Sequence, residues 1–490
     1  MWFSRSRRSI FHRVVAAVCQ YWKRAHRERR LTRVRSRRER RPFDLRGQLV
    51  QVIERLEDRA LLAAVSDGGG TTLTIELAAN EDLAVVSNGA TYTFSSDMNF
   101  TDGGVANAAA DFSVFGGTSL TLQASGLTQY STVSIIDVGT NSTVTFNPSG
   151  ANTLSDIFSV VLDDAGAGAI VFNGATAFTG TNSLSVSTSK NILLNSGSSV
   201  MTVNGGITLS ANAAGTTAGN FRGLDANNAT IQTIGTGDIV LQGRGGNDVA
   251  TGLHYGVYLQ NGTSVSSTAL GATAGEITIT GTGGAGTIAN IGAYLSGTTT
   301  DVTSIDGAIS ITGTGGNGST NSNFGVYLSD IETVSSTGTG ASAAPITITG
   351  TGGTGVSFNF GVDLLGVTTD VTSVDGAISI SGTGGNGSGA SNNGVNLDFD
   401  AAVQVTTGLL TVSGTASAGN SAGVRLTEIE GGQLKSVGMG GIVVTADGNG
   451  TSADMIAGSD SILGGVTATG AIAINADSID LLGTTSVQTT

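Results

Sequence analysis

The chain of 490 residues is poor in several residue types that stabilise ordinary globular proteins. It has one cysteine, three prolines and 5% aromatic residues, and only 12% of its residues are charged. The single cysteine, Cys19, excludes an intrachain disulfide. Lys, Arg, Gln and Glu become scarce after the first sixty residues, whereas glycine occurs 75 times. At 39% hydrophobic residues the chain is too apolar for a flexible linker, so short strands joined by glycine-rich turns are expected.

Charge is distributed unevenly along the chain. Residues 1–60 carry 18 basic and 6 acidic side chains, a balance of +12, and the rest carries 5 − 31 = −26. A body this acidic repels nucleic acid and anionic membranes, so neither is an expected partner. We interpret the acidic side chains as residues that keep an exposed surface soluble. A dedicated cation-binding role is the alternative.

Residues 1–64 form an arginine-rich leader. Its longest uninterrupted apolar run, residues 14–19, has six residues. A membrane-spanning helix needs about twenty and a standard secretory signal roughly 7 to 15, so the sequence predicts no transmembrane helix and no standard signal peptide. Taken alone, the leader could also be a nucleic-acid-binding arm.

The leader ends in LEDRALLAA, where the composition changes from basic to rich in Ser, Thr and Gly. Its residues 56–62 resemble the LEPR-XLL motif found near the N-terminus of large, repetitive, exported bacterial proteins. Asp58 stands where that motif has proline. The resemblance implies export and a secreted or cell-surface location. An amphipathic helix that caps the body is the alternative interpretation.

Residues 201–490 contain a repeat of the pattern Gly-x-Ile-x-Ile. Its first aliphatic position falls at Ile207, Ile239, Ile277, Ile309, Ile346, Ile378, Leu410, Ile442 and Ile472. Successive positions differ by 32, 38, 32, 37, 32, 32, 32 and 30 in the sequence, as in a solenoid. Segments such as EITITG and AISITG alternate aliphatic and hydroxyl residues, which indicates strands with one buried face. Two further short strands follow in each repeat. The sequence therefore predicts an all-β, right-handed parallel β-helix with three strands and about 32 residues in each coil.

One phrase of this repeat occurs twice. Residues 299–319 read TTDVTSIDGAISITGTGGNGS, and residues 368–388 differ only where Ile305 becomes Val374 and Thr312 becomes Ser381. The alternating long and short steps predict a two-coil unit of about 69–70 residues, in which one coil carries a longer corner.

Residues 65–200 lack the 32-residue register and contain eight of the thirteen phenylalanines that follow the leader. We expect this region to be an irregular β cap, because an open solenoid end exposes unpaired strand edges. The last residues, SIDLLGTTSVQTT, stop within what resembles another coil. This pattern predicts an end-to-end contact or a continuation at the C-terminus.

The segments GITLSANA, AISITG and AIAINADSIDLLG resemble filamentous-haemagglutinin-type adhesin repeats over residues 200–490. The resemblance implies a β-helix that projects from a bacterial surface and meets a surface or polysaccharide ligand.

Several residues are candidates for chemistry. Residues 243–252, GRGGNDVATG, look like one calcium-binding nonapeptide with Asp248 as a ligand, but later coils lack this aspartate. Since hard cations need several oxygen ligands, a glycine-rich corner is the preferred interpretation. Arg244, Asp248 and His254 form the one chemically varied patch, in which we take His254 to be exposed and incidental.

Two aspartate pairs are the other candidates, and we interpret them as surface charges beside a turn. They are Asp301 with Asp306 and Asp370 with Asp375. We assign no catalytic, cofactor-binding or metal-binding residue and expect no cofactor. The leading hypothesis is an exported or cell-surface structural, adhesin-like repeat protein that is not an enzyme. The alternatives are a carbohydrate-active β-helix enzyme, either a polysaccharide lyase or a hydrolase, and a basic-arm protein retained inside the cell.

Overall fold

The structure of the chain is a computed structural model. It describes residues 62–67, 70–87, 91–102, 118–122, 130–137, 139–146, 151–154, 156–162, 168–215, 217–417, 419–426 and 431–489. Cys19, the arginine-rich segment and residues 56–61 of the LEDRALL motif lie outside the described residues.

Almost every regular element is a strand. In chain order the elements are β1 (Leu62–Ser66), β2 (Thr72–Leu77), β3 (Asp82–Ser87), β4 (Tyr92–Ser96), β5 (Asn99–Asp102), β6 (Ser119–Leu122), β7 (Thr132–Asp137), β8 (Thr143–Phe146), β9 (Ala151–Leu154), β10 (Ile157–Leu162), β11 (Ile170–Phe172), β12 (Ala175–Phe178), β13 (Leu184–Thr188), β14 (Ile192–Leu194), β15 (Ser199–Thr202), β16 (Ile207–Ala211), β17 (Leu224–Asn227), β18 (Thr230–Thr233), β19 (Ile239–Arg244), β20 (Val257–Gln260), β21 (Ser264–Ser267), β22 (Ile277–Thr282), β23 (Ala285–Gly286), β24 (Ala293–Ser296), β25 (Asp301–Ser304), β26 (Ile309–Thr314), β27 (Asn317–Gly318), β28 (Val326–Ser329), β29 (Thr333–Ser336), a 3₁₀ turn (Gly340–Ser342), β30 (Ile346–Thr351), β31 (Val362–Leu365), β32 (Asp370–Ser373), β33 (Ile378–Thr383), β34 (Val395–Asp398), β35 (Ala402–Val405), β36 (Leu410–Thr415), β37 (Val424–Leu426), β38 (Gln433–Ser436), β39 (Ile442–Asp447), β40 (Met455–Ala457), β41 (Ile462–Gly464), β42 (Ile472–Asn475), β43 (Ile479–Leu481) and β44 (Ser486–Gln488).

Three long sheets contain nearly all of these strands. Sheet A runs β5-β1-β2-β7-β10-β13-β16-β19-β22-β26-β30-β33-β36-β39-β42, sheet B runs β6-β4-β3-β8-β11-β14-β17-β20-β24-β28-β31-β34-β37-β40-β43, and sheet C runs from β9 to β44. From β7 onward each turn of the chain adds one strand to each sheet, parallel to its equivalent in the preceding turn. The predicted parallel β-helix with three strands per coil is therefore confirmed.

The predicted register of sheet A is also confirmed. Each of the nine repeat positions pairs directly with the next, from Ile207 with Ile239 to Ile442 with Ile472. The first eight are buried in one continuous aliphatic core, and Ile472 packs against its end. Alternation places these side chains inside the coil and their Thr and Ser neighbours outside.

Parallel coils also extend upstream of residue 200, into the region expected to be an irregular cap. In sheet A, Val133 pairs with Phe158, Phe158 with Leu184, and Leu184 with Ile207. The steps between these partners are shorter than those downstream because the upstream corners are shorter. For example, residues 189–191 join β13 to β14, whereas residues 245–256 join β19 to β20. The upstream coils therefore lack the 32-residue step, although the parallel pairing of sheet A continues through them.

Antiparallel ladders between the described strands occur at the N-terminal end, and isolated antiparallel bridges join Asp398 to Gly431 and Ser421 to Asn449. Within the described residues, β1 pairs antiparallel with β2, β4 with β3, and β6 with β4. Tyr92, Phe94 and Phe100 are buried beneath these strands. Tyr92 Oη donates a hydrogen bond of 2.5 Å to Asp156 Oδ2 in the coil stack. In the part of the chain that the structure describes, the antiparallel strand pairs therefore lie between residues 62 and 122.

The two-coil unit has a structural counterpart in the corners between sheets C and A. Residues 268–276 and 337–345 form nine-residue corners, whereas residues 305–308 and 374–377 form four-residue ones. Each long corner is held by the next coil, since Gly271 N donates to Asp306 Oδ2 and Gly340 N donates to Asp375 Oδ2, both at 2.7 Å. The two glycines have φ angles of +88° and +73°, which favour glycine. The duplicated phrase thus carries the aspartate that fixes the preceding corner.

Candidate functional site

The corners that connect sheet A to sheet B hold most of the chemically varied residues. We call A–B corners the five segments 245–256, 283–292, 315–325, 352–361 and 384–394. Their backbones stack so closely that a Cβ on Gly284 would lie 1.7 Å from the Gly246 carbonyl oxygen, and one on Gly316 would lie 1.8 Å from that of Gly284. Close backbone packing therefore explains the glycine-rich pattern.

Asp248, the candidate calcium ligand, lies in the first A–B corner. Its Oδ1 accepts a hydrogen bond of 3.0 Å from Ala250 N, an Asx turn that shapes the corner. Among the described residues, no group of three or more His, Cys, Asp or Glu side chains is arranged to hold a metal ion. In this structure Asp248 is a turn residue.

A buried asparagine ladder links successive A–B corners. The side-chain amides of Asn290, Asn323 and Asn359 each donate to the amide oxygen of the next asparagine at 2.8–2.9 Å, and the series ends at Asn392. Each acceptor oxygen also receives the backbone N–H of the preceding asparagine at 3.1–3.2 Å. Asn392 N donates in turn to Ser421 Oγ at 2.8 Å. The ladder satisfies polar groups that burial would otherwise leave unpaired.

His254 occupies the equivalent place one coil before Asn290. It is fully buried, so its interpretation as an exposed residue is wrong. Its Nε2 donates to the Asp248 carbonyl oxygen at 3.1 Å and lies 3.2 Å from Thr251 Oγ1. On the other side of the ring, neither His254 Nδ1 nor Asn290 Oδ1 has a hydrogen-bond partner among the described residues. The ladder of hydrogen bonds therefore begins at Asn290, and His254 is hydrogen-bonded to the Asp248 turn instead.

A tyrosine stack runs along the outer face of sheet B beside the corners. The rings of Tyr258, Tyr294 and Tyr327 stack with centroid separations of 4.8 and 4.9 Å. At one end the Arg222 guanidinium lies 4.6 Å from the Tyr258 centroid and forms an ion pair of 2.8 Å with Asp225. Burial raises the pKa of Tyr258. Because the rings cover one another's faces, the stack presents mainly ring edges and hydroxyls to solvent.

Arg244 lines an open cleft of about 380 Å³ at the start of the A–B corners. The cleft crosses three coils, and its wall includes Thr282 and Thr314, which pair in register with Arg244 at the ends of β22 and β26. Thr217 and Asn247 also line it. Of the predicted patch, Arg244 therefore faces the cleft, while His254 is buried and Asp248 is used within its turn.

The aspartate pairs do not form a common site. Asp306 is only 8% exposed and binds the Gly271 amide, so its interpretation as a surface charge is wrong. Asp301 accepts a hydrogen bond of 2.9 Å from Ser264 Oγ, and burial raises the pKa of its carboxyl. Burial likewise raises the pKa of Asp370. Hydrogen bonds from the Thr407 hydroxyl and the Gly340 amide lower the pKa of Asp375. Asp301, Asp306 and Asp375 thus each accept hydrogen bonds from neighbouring coils.

Sequence reasoning missed the asparagine ladder, the tyrosine stack and Thr217. The asparagines stand two residues before the glycine of each second strand, and the tyrosines two residues after it, so alignment of the repeats could have found both. Thr217 lies in an unrepeated segment and carries no such signal.

The described residues contain no helix long and apolar enough to cross a membrane. No protein-family model, curated protein or solved structure matches the chain.

Proposed function

We propose that the protein is an exported or cell-surface repeat protein with a structural, adhesin-like role and no catalytic activity of its own. The observation that carries the proposal is the use of polar side chains to join coils. Four asparagines form one ladder through the corners, and Asp306 and Asp375 each bind the preceding coil. A chain that commits its buried polar groups to stacking builds a stable scaffold for display.

The Arg244 cleft supports saccharide binding rather than cleavage. Glycoside hydrolysis needs a pair of carboxylic acids that flank the scissile bond, and proton abstraction needs a base within hydrogen-bond reach of its substrate. The residues that line the cleft include no Asp or Glu. A carbohydrate-active enzyme is the second candidate. The position of the cleft on a β-helix favours it, whereas the side chains that line the cleft do not.

Export is tested by localisation in the native organism. We expect the full-length protein to be cleaved by protease added to intact cells, and residues 1–64 fused to an export-dependent reporter to activate it. Full protection of the protein, with the reporter retained inside the cell, would instead support the third hypothesis of a basic-arm protein retained in the cell.

The absence of catalysis is tested by incubating the full-length protein with a series of acidic and neutral polysaccharides. We expect neither new reducing ends nor unsaturated products. Products that disappear when Asp301 or Asp370 is changed to asparagine would overturn the non-enzymatic proposal in favour of a lyase or hydrolase.

A further inference from the structure

We propose that the Arg244 cleft binds a single carboxylate-bearing sugar at the end of an otherwise neutral glycan. The inference deepens the proposed surface function and rests on it only for the source of the ligand. The volume of about 380 Å³ falls within the range of small-molecule sites and suits one or two sugar residues.

Arg244 supplies the anion-binding group. Its guanidinium makes no ion pair or hydrogen bond with the described residues, in contrast to Arg222, which binds Asp225. A guanidinium presents parallel N–H donors that match the two oxygens of a carboxylate. The residues that follow the leader have a charge balance of −26. An arginine that has no carboxylate partner among them is available to the carboxylate of a ligand.

The local backbone positions this guanidinium. It lies against Gly215, where a Cβ would be 2.8 Å from Arg244 Nη1, so the absence of a side chain there provides its space. Asn212, which is 1% exposed, donates from Nδ2 to the Arg244 carbonyl oxygen at 3.3 Å and accepts from Thr217 N at 3.4 Å. One buried asparagine thus fixes both Arg244 and Thr217 at the same end of the cleft.

Threonine hydroxyls beside Arg244 favour a sugar acid over a simple carboxylate. Thr282 and Thr314 line the cleft, and neither side chain makes a hydrogen bond with the described residues. Their hydroxyls can therefore bind ligand hydroxyls next to the carboxylate. The Thr217 hydroxyl takes no part, because its Oγ1 is closed to solvent.

The threonine column that extends beyond the cleft selects a neutral continuation of the ligand. The sheet A column that begins at Arg244 continues through Thr282, Thr314, Thr351, Thr383 and Thr415 before it reaches Asp447. Successive hydroxyls lie about 4.8 Å apart in such a ladder. They can bind sugar hydroxyls, whereas the acidic body disfavours a polyanion.

The test measures binding of D-glucuronate, D-glucose, acetate and polygalacturonate to the full-length protein by ligand-detected NMR titration. We expect glucuronate to bind at least tenfold more tightly than glucose or acetate. Polygalacturonate should bind no more tightly than glucuronate when its concentration is expressed per carboxylate. Arg244→Gln should weaken glucuronate binding about tenfold or more, because a charged hydrogen-bonded pair is lost. Arg425→Gln makes the same charge change on sheet B and should leave binding unchanged.

Thr314→Val separates a binding role from a structural one. It should weaken glucuronate binding several-fold while the thermal midpoint of the free protein stays the same, since Thr314 is exposed and its hydroxyl makes no hydrogen bond with the described residues. Equal binding by Arg244→Gln and the wild type, or equal losses in Arg244→Gln and Arg425→Gln, would overturn the site. Equal affinities for acetate and glucuronate would overturn the assignment of a sugar. These outcomes are independent of where the protein is located in the cell, so the site and the proposed export can fail separately.

Discussion

Replacement of Asn323 by alanine tests whether the asparagine ladder stabilises the corners. Asn323 is fully buried, and its side chain makes four hydrogen bonds. Its Oδ1 accepts from Asn290 N at 3.1 Å and Asn290 Nδ2 at 2.9 Å. Its Nδ2 donates to Asn359 Oδ1 and to the Thr354 carbonyl oxygen, both at 2.9 Å. The substitution leaves two buried donors of Asn290 without an acceptor.

The cost follows from these orphaned groups. A buried donor that loses its partner costs about 1–3 kcal/mol, so the two donors of Asn290 predict a loss of about 2–6 kcal/mol. Asn359 Oδ1 is affected less, because it still receives the Asn323 backbone N–H at 3.2 Å. Asn323→Ser should lie between the wild type and Asn323→Ala, since Ser421 already serves as an acceptor at the end of the ladder.

The assay is urea denaturation followed by circular dichroism, combined with amide hydrogen exchange at Asn290. Asn317→Ala is the matched control, because Asn317 is an exposed residue of the same corner that accepts one hydrogen bond, of 3.2 Å, from Thr354 Oγ1. It should change stability by no more than about 0.5 kcal/mol. Similar midpoints for Asn323→Ala and Asn317→Ala, with unchanged protection at Asn290, would refute a stabilising role of the ladder.

Three further predictions concern the core, an acid-sensitive corner and the tyrosine stack. Ile309→Asp buries a carboxylate in the aliphatic core and should cost several kcal/mol, whereas Ser310→Asp should be nearly neutral; equal thermal midpoints by circular dichroism would contradict the alternation of inside and outside. Hydrogen bonds from a threonine hydroxyl and a backbone amide lower the pKa of Asp375, so its hold on Gly340 should be complete above the ordinary Asp pKa of about 3.9 and be lost as pH falls through the lowered value. The NMR chemical shift of the Gly340 amide should change with pH as Asp375 titrates, and this pH dependence should disappear in Asp375→Asn. The same pH dependence in the wild type and Asp375→Asn would contradict the contact. Tyr294→Ala removes the middle ring of the stack and its contacts to Tyr258, Tyr327 and the edge-on Tyr255. It should cost about 1.5–4.5 kcal/mol beyond lost burial, from three ring pairs of about 0.5–1.5 kcal/mol each, with a loss of near-ultraviolet dichroism; an unchanged spectrum would argue against stacking in solution.

The strand register could be predicted because its determinants are local. Ile277 and Ile309 are each followed by alternating hydroxyl and aliphatic residues, and the step between them repeats often enough to define a coil. The upstream coils were missed because corner length, rather than strand pattern, sets the step. Phe158 and Leu184 occupy the same ladder with shorter corners, so a search at a fixed period does not align them.

The candidate site was harder to predict because it depends on contacts between coils. Arg244 could be singled out by its charge, but its partner-free guanidinium is a property of the folded surface. Thr282 and Thr314 belong to the site because they stand in register with Arg244 on neighbouring coils, which residue type cannot reveal. His254 was misjudged because a lone histidine among glycines resembles a surface residue. Its equivalence to Asn290 becomes visible when the repeats are aligned, because each residue stands two positions before the glycine of a second strand.

The aspartate contacts also explain why the duplicated unit has two coils instead of one. A nine-residue corner belongs to one coil, but the carboxylate that binds it belongs to the next: Asp306 binds Gly271, and Asp375 binds Gly340, across the same separation of 35 residues. Duplication of a long-corner coil alone would place that corner beside a coil without its aspartate. Duplication of the pair preserves both the corner and its acceptor. The two-coil unit that separates Asp306 from Asp375 is therefore the smallest segment that reproduces this contact.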